Sequence, residues 1–261
     1  MSGYVTVKTG GSARQLIYPE TAAELTDISK SLEAAGSRYY ILGRGSNVLI
    51  PDEGVGIIVS TLMMNKVSVE ANKIICEAGA MLPAVAVIAA KAGLSGLEEL
   101  AGIPATVGGA LRMNAGAFGK EIKDILYCPP GNMNYRQGIN DAVILSAVLE
   151  LTPDSPEKIF TRMNEFKRIR QSRQPNEPSF GCAFKNIPHY VISAGKLIDE
   201  CGLKGIRIGD AEISSTHANF IINKGRARTC DILNIMDIVE KVVYNKTGII
   251  LEREVEVLCQ S

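Results

Sequence analysis

Two glycine-rich stretches are the residues of this chain whose types and spacing point most directly to chemistry. One is the run AGIPATVGGALRMNAGAFG at residues 101–119, in which Arg112 is the single charged residue. The other is the turn GRGSN at residues 43–47, which lies between two apolar runs. Glycine backbones reach positive φ and let amide N–H groups point at phosphates. Small residues could equally serve close packing, but two such turns favour a large cofactor that contains a diphosphate.

A third stretch, SFGCAFKN at residues 179–186, brings a thiol, a cation and an amide together after a proline-bounded helix. Alone, Cys182 between Gly and Ala is typical of a small core residue. Arg136 beside Tyr135, and Glu254 near the C-terminus, are in isolation typical of solvated surface charges. These residue types therefore allow chemistry without requiring it.

The elements that must position these residues are readable from caps and periodicity. The capping box at Thr21 and Glu24 predicts a helix that ends near Gly36. Further predictions are strands at 39–42, 48–50, 56–60, 142–151, 218–223 and 249–258, a hairpin over 66–79, and helices over 82–92, 156–172, 193–201 and from Thr229. These elements alternate without repeats or long linkers.

The composition limits the function classes. The chain has 28 basic and 28 acidic residues, so its net charge of zero argues against a nucleic-acid partner. Neither a signal peptide nor an apolar run long enough to span a bilayer is evident, which predicts a soluble, cytoplasmic enzyme. Six cysteines without a CxxC pair indicate reduced thiols, and two histidines argue against a multi-histidine metal site.

Taken together and in order, these segments resemble the UDP-N-acetylenolpyruvoylglucosamine reductase family. A single glycine motif would support this resemblance weakly, whereas many matching segments in the same order are specific for one family. The segments that carry the resemblance are LGRGSN at 42–47, GLSGLEELAGIPATVGGA at 93–110, MNAGAFG at 113–119, GCAFKN at 181–186, AGKLIDECGLKGIRIGDAEIS at 194–214, HANFIIN at 217–223 and LEREVEVL at 251–258.

The resemblance implies an α+β fold: a two-lobed FAD-binding module of the PCMH or vanillyl-alcohol-oxidase type, followed by a C-terminal α/β substrate-binding domain. The lobes would cover 1–62 and 63–170, and the last domain 171–261. It also implies a non-covalent FAD that is reduced by NADPH and then reduces UDP-N-acetylglucosamine enolpyruvate. The implied enzyme is a monomer that acts in peptidoglycan precursor synthesis.

The resemblance assigns roles by position. Arg136, Cys182 and Glu254 are the implied catalytic residues, with Cys182 in place of the usual serine proton donor. The implied cofactor-binding residues are Gly43, Arg44, Gly45, Ser46, Asn47, Val48, Ile103, Pro104, Val107, Gly108, Gly109, Asn114, Gly116 and Ala117. The implied substrate-binding residues are Tyr135, Arg173, Asn186, Lys204 and His217. No metal is implied.

The chain also departs from the family pattern outside Cys182. A short loop at residues 128–131 replaces a longer segment, and Gly138 stands where a serine commonly follows the Tyr-Arg pair. Two other readings stay open. One is a flavoprotein of the same architecture with another substrate, although neither glycine turn holds a His or Cys that could tether flavin. The other is a non-catalytic FAD- or UDP-sugar-binding homologue.

Overall fold

A computed structural model describes residues 1–128, 133–139, 142–187 and 192–259. The chain divides into two compact units. The first unit comprises residues 1–14, 45–56 and 171–261, and the second comprises 15–44 and 57–170. The two lobes and the C-terminal domain expected from the resemblance have bounds that differ from those of these two units, and they stay predictions. The predicted short loop lies largely at 129–131, outside the described residues.

Six α-helices occur in the described ranges, and none of them combines the length and apolar character that a bilayer crossing requires. In chain order they are α1 (Ala22–Ala34), α2 (Leu82–Lys91), α3 (Val107–Arg112), α4 (Pro156–Arg173), α5 (Ala194–Glu200) and α6 (Thr229–Thr247). Short 3-10 helices cover Ser2–Tyr4, Thr61–Met63 and Ile122–Ile125.

The strands of the described residues are mostly short. They are β1 (Ala13–Ile17), β2 (Tyr39–Leu42), β3 (Val48–Leu49), β4 (Val55–Ser60), β5 (Val67–Glu70), β6 (Lys73–Glu77), β7 (Leu94–Ser95), β8 (Gly116–Ala117), β9 (Lys120–Glu121), β10 (Ser146–Glu150), β11 (Thr152–Pro153), β12 (Ser179–Cys182), β13 (Arg207–Ile208), β14 (Ala211–Ile213), β15 (Phe220–Asn223) and β16 (Glu256–Val257). Helices and mixed sheets confirm the predicted α+β class.

The second unit is built on an antiparallel sheet of order β10-β6-β5, in which Ala147 lies opposite Cys76. Helices α2 and α3 contribute to the same apolar core as this sheet. Its members include Ile74, Leu82, Val85, Leu100, Val107, Leu111, Ile122 and Leu149, all fully buried. Burial raises the pKa of the Cys76 thiol to about 12. In a second sheet, β2 runs parallel to β4.

The first unit contains an antiparallel sheet of order β12-β15-β14-β13, and α6 packs against its β13 and β14 strands. Strand β3 runs parallel to β16, with Val48 opposite Glu256. The Asp52 carboxylate accepts the amide N–H groups of Thr229 (2.8 Å) and Cys230 (2.9 Å) at the start of α6. Burial alone would raise the pKa of Asp52, but these two donors lower it.

Several predicted elements differ from the structure. The strand expected over 249–258 is wrong except at Glu256–Val257, because Ile250 is 80% exposed and Arg253 makes a single bridge to Phe184. The strand expected from residue 142 begins at Ser146. Thr229 was expected to cap α6, whereas Arg228 occupies that position and Thr229 is the first helical residue.

Candidate functional site

The first glycine turn presents amide groups that the protein itself does not use. Within the described residues, the N–H groups of Gly43, Arg44, Gly45 and Ser46 have no hydrogen-bond acceptor. Gly45 has φ +62°, and such a left-handed residue turns successive N–H groups to one side. The half-buried Arg44 guanidinium has no carboxylate within ion-pair distance in the ranges that the structure covers. This turn therefore offers both donors and a positive charge to an anion.

The two glycine turns touch through Gly43 in the second unit. A Cβ atom on Gly43 would lie 2.1 Å from the Thr106 hydroxyl oxygen, so only glycine fits. Thr106 is the N-cap of α3, and its hydroxyl accepts the N–H of Gly109 (3.2 Å). The close approach that glycine permits is thus observed between the two predicted cofactor loops.

The amides of the second glycine run are already used inside the protein. The N–H of Val107 donates to Ala80 O and that of Gly108 to Ala78 O, both at 2.8 Å. Val107 is 0% exposed, which leaves it no surface for a ligand. Gly108 and Gly109 are half-buried, so part of their backbone is open although their N–H groups are used. We infer that this run shapes a surface rather than donating hydrogen bonds from its helix N-terminus.

The remaining predicted cofactor residues of the second unit fall into two groups. Ile103 is half-buried and Pro104 exposed, ahead of α3. Gly116 and Ala117 form β8, which pairs with β9 in a small hairpin. Asn114 differs from all of these, because it is 0% exposed and has φ +43°.

Arg136 lies in a tight turn of the second unit. Asn134 and Gln137 exchange both backbone hydrogen bonds, at 2.8 and 2.9 Å, so that Tyr135 and Arg136 form the two central residues. Arg136 has φ +54°, a conformation disfavoured for a residue with a side chain. Its guanidinium carbon lies 5.2 Å from the ring centroid of the exposed Tyr135. Strain of this kind is frequent at functional sites.

A β-bulge in the first unit precedes Cys182. Strand β12 pairs with β15 through Ser179 opposite Ile222 and Cys182 opposite Phe220, with a register shift between them. Gly181 supplies the bulge with φ +88°. Bulges next to active sites redirect a side chain. Cys182 is half-buried as a residue.

The backbone brings Glu254 next to this bulge. The N–H of Glu254 donates to the carbonyl of Ala183, the residue after Cys182, at 2.8 Å. Asn47, at the end of the first glycine turn, donates from Nδ2 to the Glu254 carbonyl at 2.9 Å. Residues separated by more than 200 positions in sequence are therefore joined within one unit. Cys182 and Glu254, predicted as partners, lie on directly hydrogen-bonded segments.

His217 is held as a neutral imidazole. Its Nδ1 accepts the N–H of Asn219 (3.2 Å), which places the proton on Nε2, and its ring packs edge-on against Phe220. Burial, together with the nearby charge of Lys204, lowers the pKa of His217. A Cβ on Gly195 would lie 2.9 Å from Cε1 of His217, so a side chain at position 195 would displace this ring.

The other predicted substrate residues have partners of their own or lie at the surface. Asn186 Oδ1 accepts the first N–H of α5 from Ala194 (3.1 Å). Lys204 pairs with Asp199 at 2.7 Å. Arg173 is the exposed last residue of α4. The first unit thus gathers Asn47, Cys182, Asn186, His217 and Glu254.

Sequence reasoning missed Asn219. This residue is 2% exposed, and its side chain makes paired hydrogen bonds to the N–H and carbonyl of Phe184 at 2.9 and 2.8 Å. It fixes both the strand after Cys182 and the His217 ring. The position of Asn219 inside the HANF motif could have indicated this role. Nothing in the small residues around Thr106 indicated that it caps α3 and contacts Gly43.

Comparisons with known proteins place two parts of the chain in described families. Residues 13–127 match the family described as FAD binding domain, and 174–258 match UDP-N-acetylenolpyruvoylglucosamine reductase, C-terminal domain. The reductase of Clostridium tetani is 37% identical over 99% of this chain and 90% of its own length. That of Moorella thermoacetica is 40% identical over 98% of this chain and 91% of its own.

A solved structure extends the similarity to three dimensions. The crystal structure of UDP-N-acetylenolpyruvylglucosamine reductase from Thermus caldophilus superposes with a TM-score of 0.82 and 39% identity. It covers 99% of this chain, which covers 97% of it. These values confirm the resemblance inferred from the motifs. The chain belongs to the UDP-N-acetylenolpyruvoylglucosamine reductase family.

Proposed function

We propose that this chain reduces UDP-N-acetylglucosamine enolpyruvate to UDP-N-acetylmuramate, with NADPH as reductant and non-covalent FAD as cofactor. Family membership over nearly the whole chain supports the reaction, and the matched FAD-binding domain supports the cofactor. The observation that carries the assignment of residues is the hydrogen-bonded junction of Cys182, Ala183 and Glu254 in the first unit. We also propose that the protein acts as a monomer in the cytoplasm.

The residues present fit FAD. The amides of Gly43, Arg44, Gly45 and Ser46 have no acceptor among the described residues, and the Arg44 charge complements a diphosphate. Asn47 and Val48 would continue this contact. Ile103, Pro104, Gly108 and Gly109, with Gly116 and Ala117, would supply a surface of small and apolar groups for the flat ring system. When bound, FAD supplies the hydride carrier between NADPH and the enol ether.

Arg136 and Glu254 are proposed to act on the carboxylate end of the enolpyruvyl group. Hydride addition at the β-carbon builds negative charge on that carboxylate, so a fixed cation lowers the barrier. The planar guanidinium of Arg136 can bind a carboxylate through two parallel hydrogen bonds. Glu254 would stabilise the enol form of the intermediate through a hydrogen bond.

Cys182 is proposed to deliver a proton to the α-carbon. A thiol donates a proton more readily than the alcohol it replaces. Its half-buried position after the Gly181 bulge keeps it accessible while limiting contact with bulk water. The proton would then be replaced from solvent after each turnover.

The UDP-sugar is proposed to contact Tyr135, Arg173, Asn186, Lys204 and His217. The neutral His217 would donate from Nε2 to a carbonyl or phosphate oxygen, because its Nδ1 is engaged by Asn219. Arg173 is exposed and Lys204 shares its charge with Asp199, so either can bind an anion at moderate desolvation cost. These assignments are proposals for the individual residues.

The decisive experiment follows the visible absorbance of the purified protein. We expect a yellow protein that NADPH bleaches and that recovers its colour when UDP-N-acetylglucosamine enolpyruvate is added. Bleaching without recovery would favour another substrate. A yellow protein that NADPH does not bleach would favour the non-catalytic alternative. A colourless protein that takes up no added FAD would refute the proposal.

The role of Cys182 is tested by replacing it with serine and with alanine. We expect Cys182→Ser to remain active and Cys182→Ala to lose about 100-fold or more in turnover, as is typical of losing a general acid. Cys230→Ala is the matched control, because Cys230 is equally half-buried but lies in α6. An alanine variant as fast as the parent chain would exclude Cys182 as the proton donor.

A further inference from the structure

We propose that Asn114 is a positioning residue that holds the Arg136 turn, instead of a contact to the cofactor. This inference rests on the proposed function, in which Arg136 acts on the substrate carboxylate. Asn114 belongs to the second glycine run, whose sequence alone favoured a cofactor role.

The side chain of Asn114 is committed to the protein interior. It is 0% exposed, and Nδ2 donates to the backbone carbonyl of Asn134 (2.8 Å) and to Oε2 of Glu121 (3.0 Å). Its Oδ1 accepts the N–H of Lys123 at 3.3 Å. Both amide hydrogens and the oxygen are therefore used, which leaves this group little capacity to bind a ligand.

The Asn134 carbonyl is the group that closes the Arg136 turn. It accepts the N–H of Gln137 (2.9 Å) and, from the other side, the amide of Asn114. Asn114 thus binds the turn at Asn134, the residue before Tyr135. On the far side of the turn, the N–H of Gly138 donates to the Arg112 carbonyl at 3.2 Å.

A buried anchor is needed because the turn is strained. Arg136 has φ +54°, and a residue with a Cβ avoids this region unless its surroundings hold it there. Asn114 itself has φ +43°, which asparagine tolerates better than most residues. One hydrogen bond therefore links the left-handed Asn114 to Asn134, the residue that closes the turn containing the left-handed Arg136.

Charged neighbours hold Asn114 in place. Glu121 pairs with Lys123 at 2.8 Å, and its N–H donates to the Asp124 carboxylate at 2.8 Å. The hydrogen bond that Lys123 donates to the Glu121 carboxylate raises the pKa of Lys123, which keeps this cation charged beside Asn114. The anchor thus extends from β9 through Asn114 to the turn.

The test uses two substitutions at position 114 and one control. Asn114→Asp keeps the size and the Oδ1 acceptor but turns an oxygen toward the Asn134 carbonyl and the Glu121 carboxylate, which repel it. Asn114→Gly removes the side chain and tolerates the left-handed φ. Glu98→Gln is the control, because Glu98 is 4% exposed in the same unit and its carboxylate pairs with Arg162 at 2.7 Å instead of with a residue of the turn.

Two readouts separate positioning from general stability. The first is the affinity of the FAD-loaded protein for the enolpyruvyl substrate, measured by calorimetry. The FAD content and the melting temperature of each variant are measured alongside it. The second compares the rate of flavin reduction by NADPH with the rate of flavin reoxidation by substrate. Both are measured for Arg136→Ala and for the Asn114→Asp, Arg136→Ala double variant.

We expect Asn114→Asp to weaken substrate affinity and slow reoxidation about tenfold, with FAD content and NADPH reaction unchanged. In the Arg136→Ala background the same change should add less than about twofold, since Asn114 acts through Arg136. Glu98→Gln should lower the melting temperature without either effect.

Several results would overturn the inference. The inference fails if Asn114→Asp leaves substrate affinity unchanged, or if its effect is equal with and without Arg136. It also fails if both variants at position 114 lose FAD, which would restore the cofactor role of Asn114. Failure of both variants to fold while Glu98→Gln folds would make Asn114 a general stability determinant. If Arg136→Ala alone has no effect, the catalytic assignment of Arg136 fails with the inference.

Discussion

Gly138 offers the sharpest quantitative test of how the Arg136 turn is held. A Cβ atom at position 138 would lie 1.7 Å from the carbonyl oxygen of Leu111 and 2.8 Å from the carbonyl carbon of Arg112. Both obstacles are backbone atoms and cannot rotate away. The substitution Gly138→Ala therefore has to displace the segment that leaves the turn.

The size of the effect follows from the geometry. Ordinary van der Waals contact begins near 3.4 Å, so the backbone has to shift by about 1.7 Å. That shift breaks the hydrogen bonds from Gly138 to Arg112 and from Ile139 to Leu111, each 3.2 Å long. At about 1 kcal/mol per bond, the free energy of unfolding falls by about 2 kcal/mol. Misplacing Arg136 by more than about 1 Å would slow the reaction of the substrate about 100-fold.

Thermal unfolding and turnover measure these two effects. A loss of about 2 kcal/mol corresponds to a fall of roughly 4–8 °C in melting temperature for a chain of this size. Gly3→Ala is the matched control, because no atom lies within 4 Å of a Cβ at that position. Wild-type activity and melting temperature in Gly138→Ala would refute the close packing and the link to Arg136. Gly138→Ser should behave like alanine here, because its Cβ meets the same backbone atoms.

Three further predictions concern other groups. Asp52→Ala should destabilise the first unit by about 1–2 kcal/mol through loss of the α6 cap, and because its folded pKa is lowered, the wild-type advantage should fade as an acid titration passes through that pKa. Cys76, with a pKa of about 12, should escape alkylation at pH 8 until urea unfolds the chain, whereas the exposed Cys128 should react at once; equal rates by mass spectrometry would contradict this. The pKa of His217 is lowered in the folded protein, so its contribution to stability is present above the unfolded value near 6.5 and declines below that pH. The free energy of unfolding should therefore fall less between pH 7.5 and pH 5.5 in His217→Gln than in the parent protein. An equal fall in the two proteins would contradict this prediction.

Local signals in the sequence predicted most regular elements. The cap at Thr21, the hairpin at β5 and β6 and the cap at Ser193 occur as expected, because each depends on residues close together in the chain. The strand expected to end at Leu258 was wrong because its apolar residues do not alternate: Leu251, Val255 and Leu258 are buried and Ile250 is not.

The sequence supplied candidate site residues but not their arrangement. Motifs identified Cys182 and Glu254, yet the hydrogen bond that joins their segments depends on tertiary packing that no local pattern encodes. Glycine and alanine were ambiguous for the same reason. At Gly43 the missing side chain serves contact with Thr106, and at Gly138 contact with Leu111, and neither partner is visible from spacing.

The parallel pairing of β3 with β16 has a consequence for synthesis on the ribosome. Val48 and Leu49 emerge early, but their partners Glu256 and Val257 are translated about 200 residues later. The second unit is complete in the nascent chain once residue 170 has left the exit tunnel. The first unit must instead keep β3 unpaired until residue 257 has left the exit tunnel, which leaves an apolar strand open to chaperones over that interval.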